Sequence, residues 1–139
     1  SPDGNEVAFC SNRGGGPQIY VMGASGGRAR RLSFTNSSYC TSPAWSPKGD
    51  KIAFVCRKSN GNQLFLSNVD GTQVSQLTFA GNNEDPVWSP DSSFLSYSTD
   101  AGTGGGRNIV ISSLLGGSPV QITFSKSEDS QPAWSPRLE

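Results

Sequence analysis

Acidic and polar side chains occur at matching places a few residues before the tryptophans, and they are the residues best suited to bind a partner. Two acidic pairs, 84–85 and 128–129, precede Trp88 and Trp134. Because neighbouring side chains of a strand point to opposite faces, neither pair suits acid–base catalysis by two carboxylates. They suit either solvated loops or a site for a partner or a cation. The candidate partner-binding residues are Tyr39, Thr41, Asn82, Glu84, Asp85, Glu128, Asp129 and Ser130.

Catalytic motifs are missing from the sequence. There is no histidine, which removes a Ser-His-Asp triad, a histidine-based metal site and the commonest general base. No Gly-x-Ser-x-Gly elbow occurs. The glycine runs 14–16 and 104–106 are not followed by a helical pattern, so they do not indicate a nucleotide loop. We expect no enzymatic activity, no catalytic residue, no metal and no cofactor.

The three cysteines are Cys10, Cys40 and Cys56. An odd number without a Cys-x-x-Cys pair is not a disulfide framework. If the turn after Trp45 is tight, Cys40 and Cys56 lie opposite one another on adjacent antiparallel strands, and a bridge between them is possible. Such a pairing often strains a bridge, so the sequence favours three buried or half-buried thiols, which pack as small hydrophobic groups.

A repeated motif must position all these residues. Pro-x-Trp-Ser-Pro occurs at 43–47, 86–90 and 132–136, and the chain opens on Ser-Pro, the end of another copy. The tryptophans are 43 and 46 residues apart. A repeat of this length decides the whole fold.

Four short strands are predicted in each repeat. The first contains the tryptophan, and the other three, in the central repeat, are the apolar runs 52–54, 64–66 and 77–79. The runs are rich in β-branched and aromatic residues and are bounded by turn residues, whereas no sustained helical period appears. Four strands in about 40–45 residues indicate a β-propeller blade. A solenoid of short parallel strands is the weaker alternative.

The predicted fold class is therefore all-β, a partial propeller over 1–139 with about three four-stranded blades. Residues 1–36 form three strands of a first blade, 37–80 a second blade and 81–124 a third. Residues 125–139 supply one further innermost strand. We expect the tryptophans to pack between blades, because a buried indole covers a large area.

Bulk charge and hydropathy exclude some partners. Eleven basic and eleven acidic residues give a formal net charge of zero, which does not favour a polyanion such as nucleic acid. The basic cluster Arg28, Arg30 and Arg31 is interpreted as a solvated blade turn rather than an anion site. No apolar run approaches the ~20 residues of a membrane span, so no direct membrane insertion is expected.

The repeat resembles the TolB-type propeller repeat. Residues 7–9, 19–22, 26–27 and 77–78 follow its pattern closely, and the ending 131–138 is similar to the C-terminal end of propellers of this family. Lys48, Ser92 and the long loop 104–106 depart from it only in turn details. The resemblance implies half of a six-bladed propeller. It also implies a periplasmic, non-catalytic scaffold that binds the peptidoglycan-associated lipoprotein in the Tol-Pal cell-envelope system, which acts in cell division.

Similar repeats occur in the propellers of serine peptidases of the prolyl-oligopeptidase and tricorn types. The alternative interpretation is therefore a propeller that gates access to a hydrolase domain. The C-terminal ending favours the TolB type, because a catalytic domain follows the propeller in those peptidases. Fold alone does not decide between the two.

Two expectations concern assembly. Loops that enter innermost strands end at the mouth of the central channel, so the lipoprotein is expected to dock there, with Arg28 and Arg30 on the opposite face. Three blades are fewer than the ~4–8 of known propellers. We therefore expect a homodimer that closes a six-bladed ring by strand exchange, with 132–135 of one chain beside 6–10 of the other.

Overall fold

A computed structural model describes residues 1–137, and the last two residues of the predicted closing strand, 138 and 139, lie outside this range. The described chain is all-β, without a helix, which confirms the predicted fold class. Its strands are β1 (Glu6–Ser11), β2 (Gln18–Gly23), β3 (Arg30–Arg31), β4 (Cys40–Trp45), β5 (Lys51–Lys58), β6 (Gly61–Asn68), β7 (Ser75–Gln76), β8 (Asn83–Trp88), β9 (Phe94–Thr99), β10 (Asn108–Ser113) and β11 (Val120–Gln121).

The strands form three antiparallel sheets, which are the blades. The first has the order β1-β2-β3, the second β4-β5-β6-β7 and the third β8-β9-β10-β11. In the two four-stranded blades, the strand that contains the tryptophan stands at one edge and the shortest strand at the other. The domain boundaries at 36, 80 and 124 fall in connecting segments and stay predictions.

The Trp-Ser-Pro motif is explained by the turn that joins the first two strands of a blade. Buried Ser46 accepts the N–H of Lys51 at 3.1 Å and donates to Asp50 at 2.9 Å. Ser89 makes the same two bonds in the next blade, to Phe94 N–H and to Asp91. One serine hydroxyl therefore ties the turn together in each of these two blades, which explains the serine after Trp45 and after Trp88.

Apolar faces of adjacent blades meet in the core. Ile19 and Val21 of the first blade pack against Ile52, Phe54 and Phe65 of the second. Between the second and third blades, Val55 and Leu64 pack against Tyr97 and Val110. Trp88 is 6% exposed and packs with Ala53 and Leu95, so the predicted packing of this tryptophan between blades is confirmed.

The outermost strand is not where the sequence predicted it. The run 77–79, predicted as the outermost strand of the central repeat, follows the observed strand β7, and the equivalent runs of the other two repeats, 32–34 and 122–124, follow β3 and β11. Each of these strands has only two residues. A polar clamp replaces the ladder there. Thr78 Oγ1 accepts the N–H of Leu64 at 2.8 Å and donates to Gln63 Oε1 at 2.8 Å. The same clamp joins Ser33 to Gln18 and Thr123 to Asn108.

The favoured interpretation of three buried or half-buried thiols is wrong. Cys40 and Cys56 form a disulfide, and Cys10 is free and exposed. The predicted register is correct, because Cys40 and Cys56 are direct partners in the β4–β5 ladder. Their Cα atoms are 4.1 Å apart, close enough for the bridge that the sequence left as the lesser alternative.

Residues 125–137 extend along the third blade without forming a strand. Trp134 stacks on Phe94 with ring centroids 6.5 Å apart and donates its indole N–H to the Val87 carbonyl at 3.2 Å. Within residues 1–137 the backbone of this segment pairs with the third blade through a single bridge between Glu128 and Arg107, and residues 132–135 belong to no ladder.

Candidate functional site

The candidate residues cluster at the end of the blades where β4 and β8 begin, which we call the mouth face. Each innermost strand carries a register shift near its start, between Thr41 and Ala44 in β4 and between Glu84 and Val87 in β8. The residue before the proline is left-handed at all three repeats, at Ser42, Asp85 and Gln131, with φ of 55° or 56°. Such a bulge turns side chains out of the ladder, and bulges often accompany functional sites.

Arg107 is the centre of the charged part of this face. Its guanidinium lies 3.1 Å from a carboxylate oxygen of Glu84 and 3.5 Å from one of Glu128. The Arg107 side chain is only 17% exposed, whereas those of Glu84 and Glu128 are 39% and 74% exposed. The Asp129 N–H donates to the Arg107 carbonyl at 2.8 Å, so the backbone also joins the two segments. One cation therefore holds together acids that are 44 residues apart in sequence.

Asp85 projects from the bulge to different partners. Its carboxylate accepts the backbone N–H of Gln131 at 3.2 Å and the Ser98 hydroxyl at 3.4 Å. Glu84 instead accepts an amide N–H of Asn62 at 2.8 Å. The adjacent acids thus have separate environments, as the sequence predicts for neighbouring strand residues.

Asn82 belongs to a third group of contacts at this face. Its backbone N–H and side-chain amide both donate to Asp100, at 2.6 and 3.0 Å, and its Oδ1 accepts the N–H of Asn62 at 3.2 Å. These bonds from the Asn82 side chain and backbone lower the pKa of Asp100 below its ordinary value. Asp100 is therefore held as a carboxylate.

Other predicted site residues stand apart from the acids. Tyr39 is 37% exposed and lies under the Arg57 guanidinium, 4.2 Å from the ring centroid. Thr41 only accepts the hydroxyl of Ser42, at 3.5 Å, and Ser130 is exposed. No hydrogen bond or ion pair within residues 1–137 joins these three residues to Glu84 or Glu128.

Sequence reasoning missed three members of the group, Arg107, Asn62 and Asp100. All three lie at the ends of the loops between the second and third strands of their blades. Those loops reach the same face as the segments that enter the innermost strands, because the strands alternate in direction. The repeat alignment could have found two of them, since Arg107 and Asn62 both stand just before a second apolar run.

The site offers acceptor oxygens and one shielded guanidinium, which is the chemistry of polar recognition. Within the described residues no group of three or more Cys, Asp or Glu side chains is placed to hold a metal ion. No helix in residues 1–137 is long and apolar enough to cross a membrane. A groove of about 480 Å³ between the second and third blades has no charged residue in its lining, which includes Leu77, Phe79, Tyr97 and Val110.

Comparisons with known proteins agree with this architecture. A family model described as the TolB beta propeller domain matches residues 1–138. A putative TolB from Agrobacterium tumefaciens matches with a TM-score of 0.87 and 26% identity, covering 98% of this chain and 48% of that one. TolB from Acinetobacter baumannii gives 0.74 and 24%, covering 88% and 30%.

A peptidase is also similar in structure. The tricorn protease gives a TM-score of 0.67 at 15% identity, covering 93% of this chain and 13% of that one. At this identity the likeness shows a shared fold alone, and the same holds for the Acinetobacter protein. The chain spans about half the length of the Agrobacterium protein.

Proposed function

The chain belongs to the TolB β-propeller domain family, and from this premise we propose that it is a non-catalytic scaffold that binds another protein at its mouth face. The observation that carries the proposal is the cluster of Glu84 and Glu128 around Arg107. Its acids are partly exposed, and Glu84 stands on a strand that carries a bulge and packs between blades. Polar loops on a rigid scaffold are where proteins most often place recognition.

The proposed partner is the peptidoglycan-associated lipoprotein, and the proposed location is the periplasm, within the Tol-Pal system. Both are inferred from membership of the family, and the chemistry of the site bears on the partner alone. Exposed carboxylate oxygens beside a shielded guanidinium present acceptors for the N–H groups of a protein surface. Complementary charges at an interface give specificity and orientation more than affinity.

A titration with the soluble domain of the lipoprotein tests the proposal. Glu84→Ala and Glu128→Ala should each weaken binding, whereas Arg28→Ala, a change in the exposed 24–29 turn of the opposite face, should not. Unchanged affinity in both glutamate variants, or a loss only in Arg28→Ala, contradicts docking at the mouth face. The titration needs a closed ring. It therefore uses the oligomeric form of the protein, identified by light scattering coupled to size exclusion.

The second candidate function is that of a peptidase propeller, because peptidases such as the tricorn protease share this fold and carry similar repeats. In that case the same face would admit peptides to a hydrolase domain elsewhere in a longer protein. Peptide hydrolysis by the protein in its full natural length, abolished by a serine-directed inhibitor, would support this function and overturn the first.

We also propose that the 139-residue chain forms a homodimer by strand exchange. Strand β1 stands at the edge of its sheet, and Val7 and Cys10 on it are exposed. Exposed strand edges attract further strands. Trp134 packs on Phe94 and Val87 of its own chain, so backbone pairing of 132–135 with β1 of the partner, rather than this tryptophan, would supply the association.

A further inference from the structure

Three cations and two aromatic rings lie along the connection between the first and second blades. Arg31 lies over the Phe34 ring at 4.6 Å, and Lys58 Nζ donates to the Thr35 carbonyl at 3.0 Å. Arg57 follows over the ring of Tyr39 at 4.2 Å. We call these residues the basic–aromatic strip, which consists of Arg31, Phe34, Tyr39, Arg57 and Lys58.

The fold uses part of this strip, since Lys58 Nζ also lies over the buried Phe65 ring at 5.4 Å, but it leaves the Phe34 ring and the Arg57 guanidinium edge free. Phe34 is 66% exposed. Within residues 1–137 the ion pairs involve Arg30 and Arg107, and none involves Arg31, Arg57 or Lys58. The Arg57 guanidinium makes no hydrogen bond to another described side chain or backbone group and rests on the tyrosine ring. Stacking holds a guanidinium in place while leaving its N–H edge free for a carboxylate.

The neighbouring blade shows that this chemistry is not required for folding. Tyr39 and Asn82 both lie six residues before their tryptophans, and Arg57 and Asp100 both lie twelve residues after them. The pair that is arginine over tyrosine in one blade is therefore aspartate bonded to asparagine in the next. The charge at this structural position reverses between adjacent blades.

Arg31 departs from its equivalents in the same way. Its Nε donates to the Ser33 carbonyl at 2.7 Å, and glutamine makes the corresponding bond in both other blades, from Gln76 to Thr78 and from Gln121 to Thr123. Glutamine satisfies the structural bond without a charge. The positive charge at 31 is thus an addition to the repeat.

We propose that the basic–aromatic strip binds a short acidic peptide segment that carries an apolar residue beside its carboxylates. The free guanidinium edge of Arg57 matches a carboxylate, which guanidinium groups bind through paired hydrogen bonds. Arg31 and Lys58 add positive charge, with the Lys58 side chain on the other face of β5. The exposed ring of Phe34 offers the apolar contact. This surface is distinct from the Arg107 cluster at the channel mouth, and the proposal does not rest on the lipoprotein being the partner.

The length of the ligand is limited by the charges on the next blade. The acids Glu84, Asp100 and Glu128 reach the same face from 81–130 and would repel a long polyanion that left the strip. A formal net charge of zero also gives no long-range attraction for nucleic acid. A peptide of a few carboxylates fits the strip without meeting these acids.

The experiment is an anisotropy titration of the 139-residue protein with a labelled eight-residue peptide that alternates glutamate with leucine and phenylalanine. The test variant combines Tyr39→Asn and Arg57→Asp, which installs the pair that the next blade already uses. A second variant, Arg31→Gln, installs the glutamine of the other blades. We expect the double variant to weaken binding about tenfold or more, Arg31→Gln to weaken it less, and added salt to weaken binding to the unchanged protein.

The matched controls are Arg28→Gln, an exposed arginine on the opposite face, and a peptide with glutamine in place of glutamate. Arg28→Gln should bind as the unchanged protein does, and the glutamine peptide should bind weakly or not at all. No binding of the glutamate peptide, equal losses in all variants, or tighter binding of a single-stranded oligonucleotide would each overturn the proposal. Because the lipoprotein titration depends on Glu84 and Glu128, the two proposals can fail separately.

Discussion

Trp88 donates its indole N–H to the carbonyl oxygen of Ala44 in the preceding blade at 2.9 Å. Ala44 directly precedes Trp45, so the tryptophan of one blade is bonded to the residue beside the tryptophan of the blade before it. Trp134 repeats the relationship with Val87. Trp45 instead donates to Gly49 in its own turn at 3.3 Å. Trp88 therefore contributes an inter-blade bond as well as core packing, whereas the indole of Trp45 bonds within its own turn.

Removing the indole at the central junction should be costly. Trp88→Ala is expected to lower the free energy of unfolding by about 3–5 kcal/mol, because it opens a cavity in the blade interface and leaves the Ala44 carbonyl without its donor. Trp134→Ala, at a half-buried position, should cost less. Urea denaturation followed by circular dichroism measures both, and equal losses would contradict the assignment of Trp88 to the core.

The disulfide should stabilise the second blade against unfolding. Cys40 and Cys56 are separated by 16 residues, and closing a loop of this length is worth about 3 kcal/mol in the chain-entropy model. The double change Cys40→Ala and Cys56→Ala should lower the midpoint of thermal unfolding, and a reductant should lower that of the unchanged protein. Cys10→Ser is the control and should change neither. A midpoint that a reductant leaves unchanged counts against the bridge.

Two substitutions of Thr78 separate the stability that comes from the hydrogen bonds of the polar clamp from the stability that comes from packing. Thr78→Val keeps the shape of the side chain but removes the acceptor of Leu64 N–H and the donor to Gln63, which should cost about 1–3 kcal/mol. Thr78→Ser retains the hydroxyl and should recover most of that loss. Chemical denaturation distinguishes the two variants. A valine variant as stable as the serine variant would show that the clamp does not contribute.

Parts of this fold could be predicted from the sequence because one repeated motif carries them. The spacing of Trp45, Trp88 and Trp134 indicates four-stranded blades, and the paired register of Cys40 and Cys56 follows from the turn between them. The position of the outer strand did not follow. The run Leu77-Thr78-Phe79 has a strand-like composition, but its threonine closes a buried clamp instead of a ladder.

The sequence predicted the acidic residues of the candidate site but not its geometry. A residue before proline normally adopts an extended conformation, yet Asp85 is left-handed, because the bulge and the contacts of its carboxylate hold it there. Arg107 was missed because its partners, Glu84 and Glu128, belong to two different repeats. Contacts of that kind depend on how blades stack, which a single repeat does not encode.

Low pH should destabilise the part of the mouth face that the Asp100 carboxylate holds together. Hydrogen bonds from Asn82 lower the pKa of Asp100 in the folded state. The stabilising contribution is therefore complete above the unfolded pKa of about 3.9 and is lost as the pH falls through the lower folded value. Asp100→Asn should remove this part of the acid dependence and leave the rest. Thermal unfolding at pH values between about 5 and 2 measures the difference, and identical profiles would contradict the role of Asp100.

The last prediction is that two copies of the chain close one ring. If 132–135 of one chain pairs with β1 of another, light scattering coupled to size exclusion should give twice the 14.6 kDa of one chain over a wide concentration range. Val7 is 47% exposed on β1, so Val7→Lys places a charge at the edge that must accept the strand and should shift the mass to that of one chain. Val74→Lys, at an exposed position in the loop before β7, is the control and should leave the dimer intact. A single-chain mass for the unchanged protein, or a mass that rises without limit, would contradict strand exchange, because a two-fold ring leaves no edge free for a third chain.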